Sequence, residues 1–160
     1  MPRLVEPVVA FIAVAALGWV AIDRGYVSVP GLELPAITTG ATPDVVTQRF
    51  SLCAVGGGTC VIDGDTIRID GQSVRIADID TPEVRNYGCA QEKALGDRAT
   101  ARMLELVNQG RFSMRFWDHR DEDRYGRKLR VLERDGQSLG MILVAEGLAR
   151  PWDGARRDWC

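Results

Sequence analysis

Residues 61–83 read VIDGDTIRIDGQSVRIADIDTPE, and this stretch decides the fold. Two β-branched runs, 59–62 and 66–69, flank Asp63-Gly64-Asp65, and Asp-Gly between such runs is a hairpin signal. A third strand begins near Val74 and runs to about Ile79, where Pro82 ends it, because proline lacks the N–H that a central strand needs. The stretch is also loaded with acids. Asp63 and Asp65 straddle a glycine, and Asp80 and Glu83 straddle a proline bend. Carboxylate oxygens suit a hard divalent cation. A bend of that kind can turn one of these two carboxylates towards a metal and the other towards a water molecule, which phosphodiester hydrolysis requires. Arg75 adds positive charge for phosphate oxygens. Arg75 and Asp80 have opposite parity, so a regular strand would put them on opposite faces. For both to serve one site, the strand must bend or bulge before Asp80.

Beyond this stretch, Leu95, Ala99, Met103, Leu106 and Val107 fall at helical spacing, predicting a helix over 92–108 with Gly110 as its stop. Phe112, Met114 and Phe116 alternate with polar residues and predict a strand. A polar loop over 118–126 leads into a strand at 129–132, followed by an Asp135-Gly136 turn. Residues 138–146 predict a short helix with Ser138 as cap. In the polar loop, Tyr125-Gly126-Arg127 stands directly before an apolar strand. Gly126 permits a tight turn, and Arg127 projects a planar guanidinium suited to bidentate phosphate contact. Three strands, a helix, two strands and a helix suit a mainly β α+β domain built on a small closed five-stranded barrel, a size that the oligonucleotide/oligosaccharide-binding (OB) barrel fits, although the order alone does not separate it from other small α+β folds.

The 160 residues carry 20 basic and 22 acidic side chains, a net charge of −2, which excludes a protein that grips nucleic acid by bulk charge. Residues 7–22 (PVVAFIAVAALGWVAI) carry no charge and have no polar face. Segment 1–24 is therefore expected to be a hydrophobic helix serving as a membrane anchor or a cleaved secretory signal, with the anchor favoured because Trp19 suits the interface. Segment 25–50, with Pro30, Pro35 and Pro43, is expected to be a linker, leaving 51–160 as the folded domain. The four cysteines form no C-x-x-C pair, and with only His119 beside them a zinc site is not expected. An even count behind an export-type segment points to disulfides, with Cys53–Cys60 and Cys89–Cys160 the favoured pairing of three.

Taken together, VIDGDT (61–66), VRIADIDTPE (74–83), DRYGRKL (123–129) and GLARPW (147–152) resemble, in order and spacing, the thermonuclease (staphylococcal nuclease-like) family. The resemblance implies an OB barrel that uses Ca²⁺ to hydrolyse DNA and RNA as an endonuclease, leaving 3′-phosphate ends. It implies Asp65, Asp80 and the Thr81 carbonyl as metal ligands, with Asp63 behind them. It implies Glu83 as the residue that orients or deprotonates water, Arg75 and Arg127 as the phosphate-binding pair, and Tyr125 and Trp152 as aromatics on the substrate side. The expected protein is a monomer outside the cytoplasm, membrane-anchored or secreted. The competing expectation is a noncatalytic nucleic-acid- or protein-binding OB barrel tethered to the membrane.

Overall fold

The computed structural model describes residues 22–23, 26–27, 44–54, 57–118 and 120–160. The chain divides into two units, Met1–Gly40 and Ala41–Cys160. In the first, β1 (Ile22–Asp23) and β2 (Tyr26–Val27) pair antiparallel. Residues 7–21 of the apolar run, and His119, lie outside the described residues. Among the described residues no helix is long and apolar enough to cross a membrane.

The second unit is a curled mixed sheet with two helices, a half-barrel of OB type. The five long strands are β5 (Cys60–Asp63), β6 (Thr66–Ile69), β7 (Gln72–Ile76), β9 (Phe112–Phe116) and β10 (Lys128–Arg134), near their expected places except that β7 begins at Gln72 and stops at Ile76 rather than running to Ile79, because the chain turns at Ala77 and Asp78. Their order is β9-β10-β7-β6-β5, and the β7–β10 pair is parallel. The expected barrel of five strands is not closed by a ladder between β9 and β5 among the described residues. Both edges are taken by a segment expected to belong largely to a linker: β3 (Asp44–Val46) pairs with β9, and β4 (Ser51–Leu52) pairs with β5. Val46 and Phe50 are buried, with the Phe50 ring 6.0 Å from that of Phe112. The folded unit thus begins before residue 51, because two edge strands and an aromatic anchor lie upstream of it.

Helix α1 (Ala90–Asn108) buries Ala99, Met103, Leu106 and Val107 against the sheet, the face its periodicity marks out. Helix α2 (Leu139–Ala145) is capped by the Ser138 hydroxyl, which accepts from the Met141 N–H at 3.1 Å. Short strands β8 (Ile79–Asp80), β11 (Gln137–Ser138) and β12 (Arg150–Pro151) complete the order; β8 pairs with β12 and β11 with β10. Both expected disulfides, Cys53–Cys60 and Cys89–Cys160, are present. With a sequence separation of 71, the second constrains the unfolded chain by ~4 kcal/mol on chain-entropy grounds.

Candidate active site

The site is built where β7 stops. After Ile76 the chain turns through Ala77 and Asp78 and resumes extended structure at Ile79. This is the break that the opposite parity of Arg75 and Asp80 demands, and it brings the two side chains together. The Arg75 guanidinium pairs with the Asp65 carboxylate, and its Nη2 donates to Asp80 Oδ1 and to the Ile79 carbonyl, both at 3.4 Å. Asp65 reaches this point because the Asp63-Gly64-Asp65 turn folds down onto α1. A Cβ at Gly64 would stand 2.8 Å from the Ala99 Cβ and 2.9 Å from Thr81 Cγ2, so only glycine allows the turn to pack this close.

Asp65, Asp80, Thr81 and Arg75 are all buried. Asp65 satisfies its oxygens fully. Oδ2 accepts from the Thr81 N–H at 3.0 Å and the Thr81 hydroxyl at 2.9 Å, and Oδ1 accepts from the Thr66 hydroxyl at 3.0 Å. Burial and the neighbouring Asp65 charge push the Asp63 carboxyl up to about 6. The same two causes raise Asp80, against the opposing pull of Arg75 and then Arg156. Asp63, Asp65 and Asp80 lie close together with Arg75 paired to the latter two and Arg156 farther off, an excess of negative charge that a hard cation relieves. The donor set therefore fits such an ion chemically. Among the described residues, however, no group of three His, Cys, Asp or Glu side chains forms a ready metal cage.

Arg127 enters from the start of β10. Asp123 holds it: Oδ2 accepts from Arg127 Nε at 2.7 Å and Oδ1 from the Arg127 N–H at 3.0 Å. Gly126, at φ +75°, makes the tight turn between them in the left-handed region. Arg127 Nη1 donates to the Thr66 hydroxyl at 3.4 Å, which links it to the Asp65 cluster. Tyr125 is exposed, with its ring centroid 5.5 Å from the Arg127 guanidinium. Arg75, Arg127 and Trp152 line one cleft of about 150 Å³, together with Trp117, Arg120 and Arg156. Glu83 lies in the irregular stretch after β8, half-buried, with its carboxylate paired to Arg156. Arg156 Nε also stands 3.9 Å from Asp80 Oδ1, so it bridges Glu83 to the buried cluster. All nine residues singled out from the sequence therefore sit in or beside one connected arrangement.

Sequence reasoning missed four residues that hold it. Asp123 carries Arg127. Glu92, buried in the first turn of α1, accepts from the Glu83 N–H at 3.2 Å and the Gly88 N–H at 2.6 Å. Trp159 donates its indole N–H to Asp80 Oδ2 at 3.3 Å, and Arg156 pairs with Glu83. Arg156 and Trp159 lie in a segment without helical or strand periodicity. Only the Cys89–Cys160 pairing, which draws residues 153–160 to the start of α1, could have pointed to them.

Residues 73–157 match the family described as staphylococcal nuclease homologue. Over 73 residues, 45% of this chain, the sequence is 41% identical to the SPbeta prophage-derived endonuclease YokF of Bacillus subtilis (strain 168), covering 24% of that protein. Over a stretch of the same length it is 40% identical to endonuclease YncB of the same organism, covering 34% of it. The chain thus matches about a quarter to a third of the length of these curated relatives. The family match spans more than half of the chain and takes in β7, α1, β10, α2 and the cleft they build, so the protein belongs to the staphylococcal nuclease homologue family.

Proposed function

We propose that this protein is a calcium-dependent endonuclease that hydrolyses DNA and RNA to 3′-phosphate products. The observation that carries the reading is the meeting of Arg75, Asp65, Asp80, Glu83 and Arg127 through a continuous chain of contacts, with both arginines lining one cleft. The names of its relatives, both endonucleases, support the same chemistry.

Asp65, Asp80 and the Thr81 carbonyl are the groups that would hold Ca²⁺, with Asp63 behind them. When bound, the ion supplies positive charge that offsets the charge gathered on a scissile phosphate. Glu83 orients an attacking water and accepts its proton as the oxygen–phosphorus bond forms. The phosphorus–O5′ bond breaks, and solvent protonates the departing oxygen. Arg75 and Arg127 take phosphate oxygens and stabilise the charge that develops on them; one donor of this kind is worth ~10²–10³-fold in rate. Tyr125, its ring face already beside a guanidinium, and Trp152, in the cleft, offer surfaces against which a base can stack.

Two disulfides fit an oxidising compartment, and the uncharged run at 7–22 supplies a membrane anchor or an export signal. The domain then works outside the cytoplasm.

The test is a nuclease assay on the full chain under non-reducing conditions. DNA and RNA are degraded with calcium, products end in 3′-phosphate, and chelator abolishes the activity. Glu83→Gln loses about 10²–10⁴-fold in kcat while still binding nucleic acid. Degradation that proceeds unchanged in chelator refutes the metal assignment. A Glu83→Gln variant with wild-type kcat removes Glu83 from the chemistry.

A further inference from the structure

Glu83, the residue with the most demanding role, itself lies in no strand or helix. Its backbone is held by Glu92 and its carboxylate by Arg156, and neither belongs to the motifs that mark the site. Arg156 is itself on an irregular segment, with its side chain half-exposed. An exposed ion pair on a free tail is worth little, because ordering two long side chains offsets the attraction. Here the tail is not free. On one side the Trp152 N–H donates to the Asp78 carbonyl at 2.8 Å. On the other, Trp159 donates to Asp80 and lies under the Arg150 guanidinium, 3.7 Å from the ring centroid. Arg150 also donates to the Asp158 carbonyl at 2.9 Å, and Cys160 is bonded to Cys89 at the start of α1. Arg156 is thus bracketed by anchors within four residues on each side, so much of the ordering cost of the Glu83 pair is met before the pair forms.

We infer that Arg156 is a positioning residue for Glu83, and that the Cys89–Cys160 disulfide sets the placement of both. The inference rests on the role proposed for Glu83. The ion pair engages Glu83 Oε1, which leaves Oε2 as the oxygen that meets the water. Fixing one oxygen fixes the rotation of the carboxylate relative to Arg75 and Arg127, whose cleft Arg156 also lines. A displacement of about 1 Å in a reacting group costs up to ~10²-fold in rate.

The experiment compares the full chain with Arg156→Ala, Arg156→Lys, Cys89→Ser/Cys160→Ser and the combination of Arg156→Ala with the two serine substitutions. Calcium-dependent DNA cleavage is resolved into kcat and KM, and Glu83→Gln is measured alongside. Arg156→Ala lowers kcat about 10- to 100-fold with KM within about threefold, and Arg156→Lys recovers much of the loss. The serine pair lowers kcat comparably in the wild-type background but by less than about threefold in the Arg156→Ala background, since both act on one contact. Arg156→Ala with unchanged or faster kcat overturns the inference, as do fully additive losses. Because Arg156 is half-exposed, its two variants carry the test even if the serine pair unfolds. If Glu83→Gln keeps wild-type kcat, the role of Glu83 fails and the inference goes with it. If Glu83→Gln is inactive and Arg156→Ala is not, the inference alone fails.

Discussion

Gly96 is where α1 passes closest to the chain that carries Glu83, and Gly96→Ala sets two known effects against each other. In a helix interior, glycine to alanine stabilises by ~1 kcal/mol through backbone entropy alone. Here the new methyl would stand 2.7 Å from the Pro82 carbonyl oxygen, 3.0 Å from Val84 Cγ1 and 3.2 Å from the Glu83 carbonyl oxygen. Two of these neighbours are backbone and cannot rotate away. Restoring ordinary contact at about 3.4 Å requires a shift of about 0.7 Å at Pro82. The helix is fixed by Ala99, Met103, Leu106 and Val107 in the core, so the 82–84 segment is the part that yields. Overpacking of this kind costs ~1–3 kcal/mol, which leaves a net destabilisation of about 0–2 kcal/mol after the helix gain.

The effect on rate is expected to be larger than the effect on stability, because the displaced segment bears the proposed water-activating carboxylate. A shift approaching 1 Å costs up to ~10²-fold, so kcat should fall about tenfold or more while the melting temperature drops by a few degrees. Urea denaturation and steady-state cleavage on the same preparation separate the two. A Gly96→Ala protein that is ~1 kcal/mol more stable and fully active would falsify the claim that this contact sets the position of Glu83.

The two arginines of the cleft should respond differently. Arg75 is buried between Asp65 and Asp80, so Arg75→Ala strands two buried carboxylates and should cost ~3–5 kcal/mol as well as activity. Arg127 is partly exposed, and Arg127→Ala should cost ~1 kcal/mol or less but ~10²–10³-fold in rate; urea denaturation and cleavage assays check both. Asp123 supplies the pH test. Burial alone would raise its carboxyl, but the Arg127 backbone and side-chain hydrogen bonds, with that from the Tyr125 N–H, carry it below its ordinary value. A depressed folded pKa means stability that is present above the unfolded value near 4 and lost as pH falls through the lower folded one. Asp123→Asn should therefore be less stable than wild type at pH 7, with the gap closing as the pH falls below the unfolded value and through the lower folded one. A gap that persists in acid would show that the carboxylate charge is not what orders this loop.

The long strands and both helices were legible from local signals: β-branched runs about the Asp63-Gly64-Asp65 turn, the Ser138 cap, and periodicity elsewhere. Apolar residues alternate in 112–116, and they recur at helical spacing in 95–107. The turn at Ala77–Asp78 was legible in another way: no single local signal marks it, but Arg75 and Asp80 can meet only if the strand breaks between them. The edge strands β3 and β4 were hidden because two- and three-residue strands are too short to show a period, and their pairing is set by partners 66–70 and nine residues away. Arg156, Trp159 and Glu92 were hidden for a related reason. Glu92 reaches the Glu83 N–H through the irregular turn between β8 and α1, which has no period to read, and Arg156 and Trp159 are held near Glu83 and Asp80 by a tail that the Cys89–Cys160 bond closes onto the start of α1.

The charge distribution separates two tasks that a more basic protein would combine. A net charge of −2 gives no long-range pull on a polyanion, so capture has to be local. Within the cleft the cations are Arg75, Arg120, Arg127 and Arg156, while the buried acids lie behind Arg75. Each acid is held by bonds that also build the fold: Asp65 ties the 63–65 turn to Thr81, and Asp80 joins Arg75 to Trp159. The same carboxylates proposed to bind the metal therefore fix the strand break that creates the site. Replacing them should lower stability and activity together, whereas Arg127 and Glu83, nearer solvent, can be changed for chemistry alone.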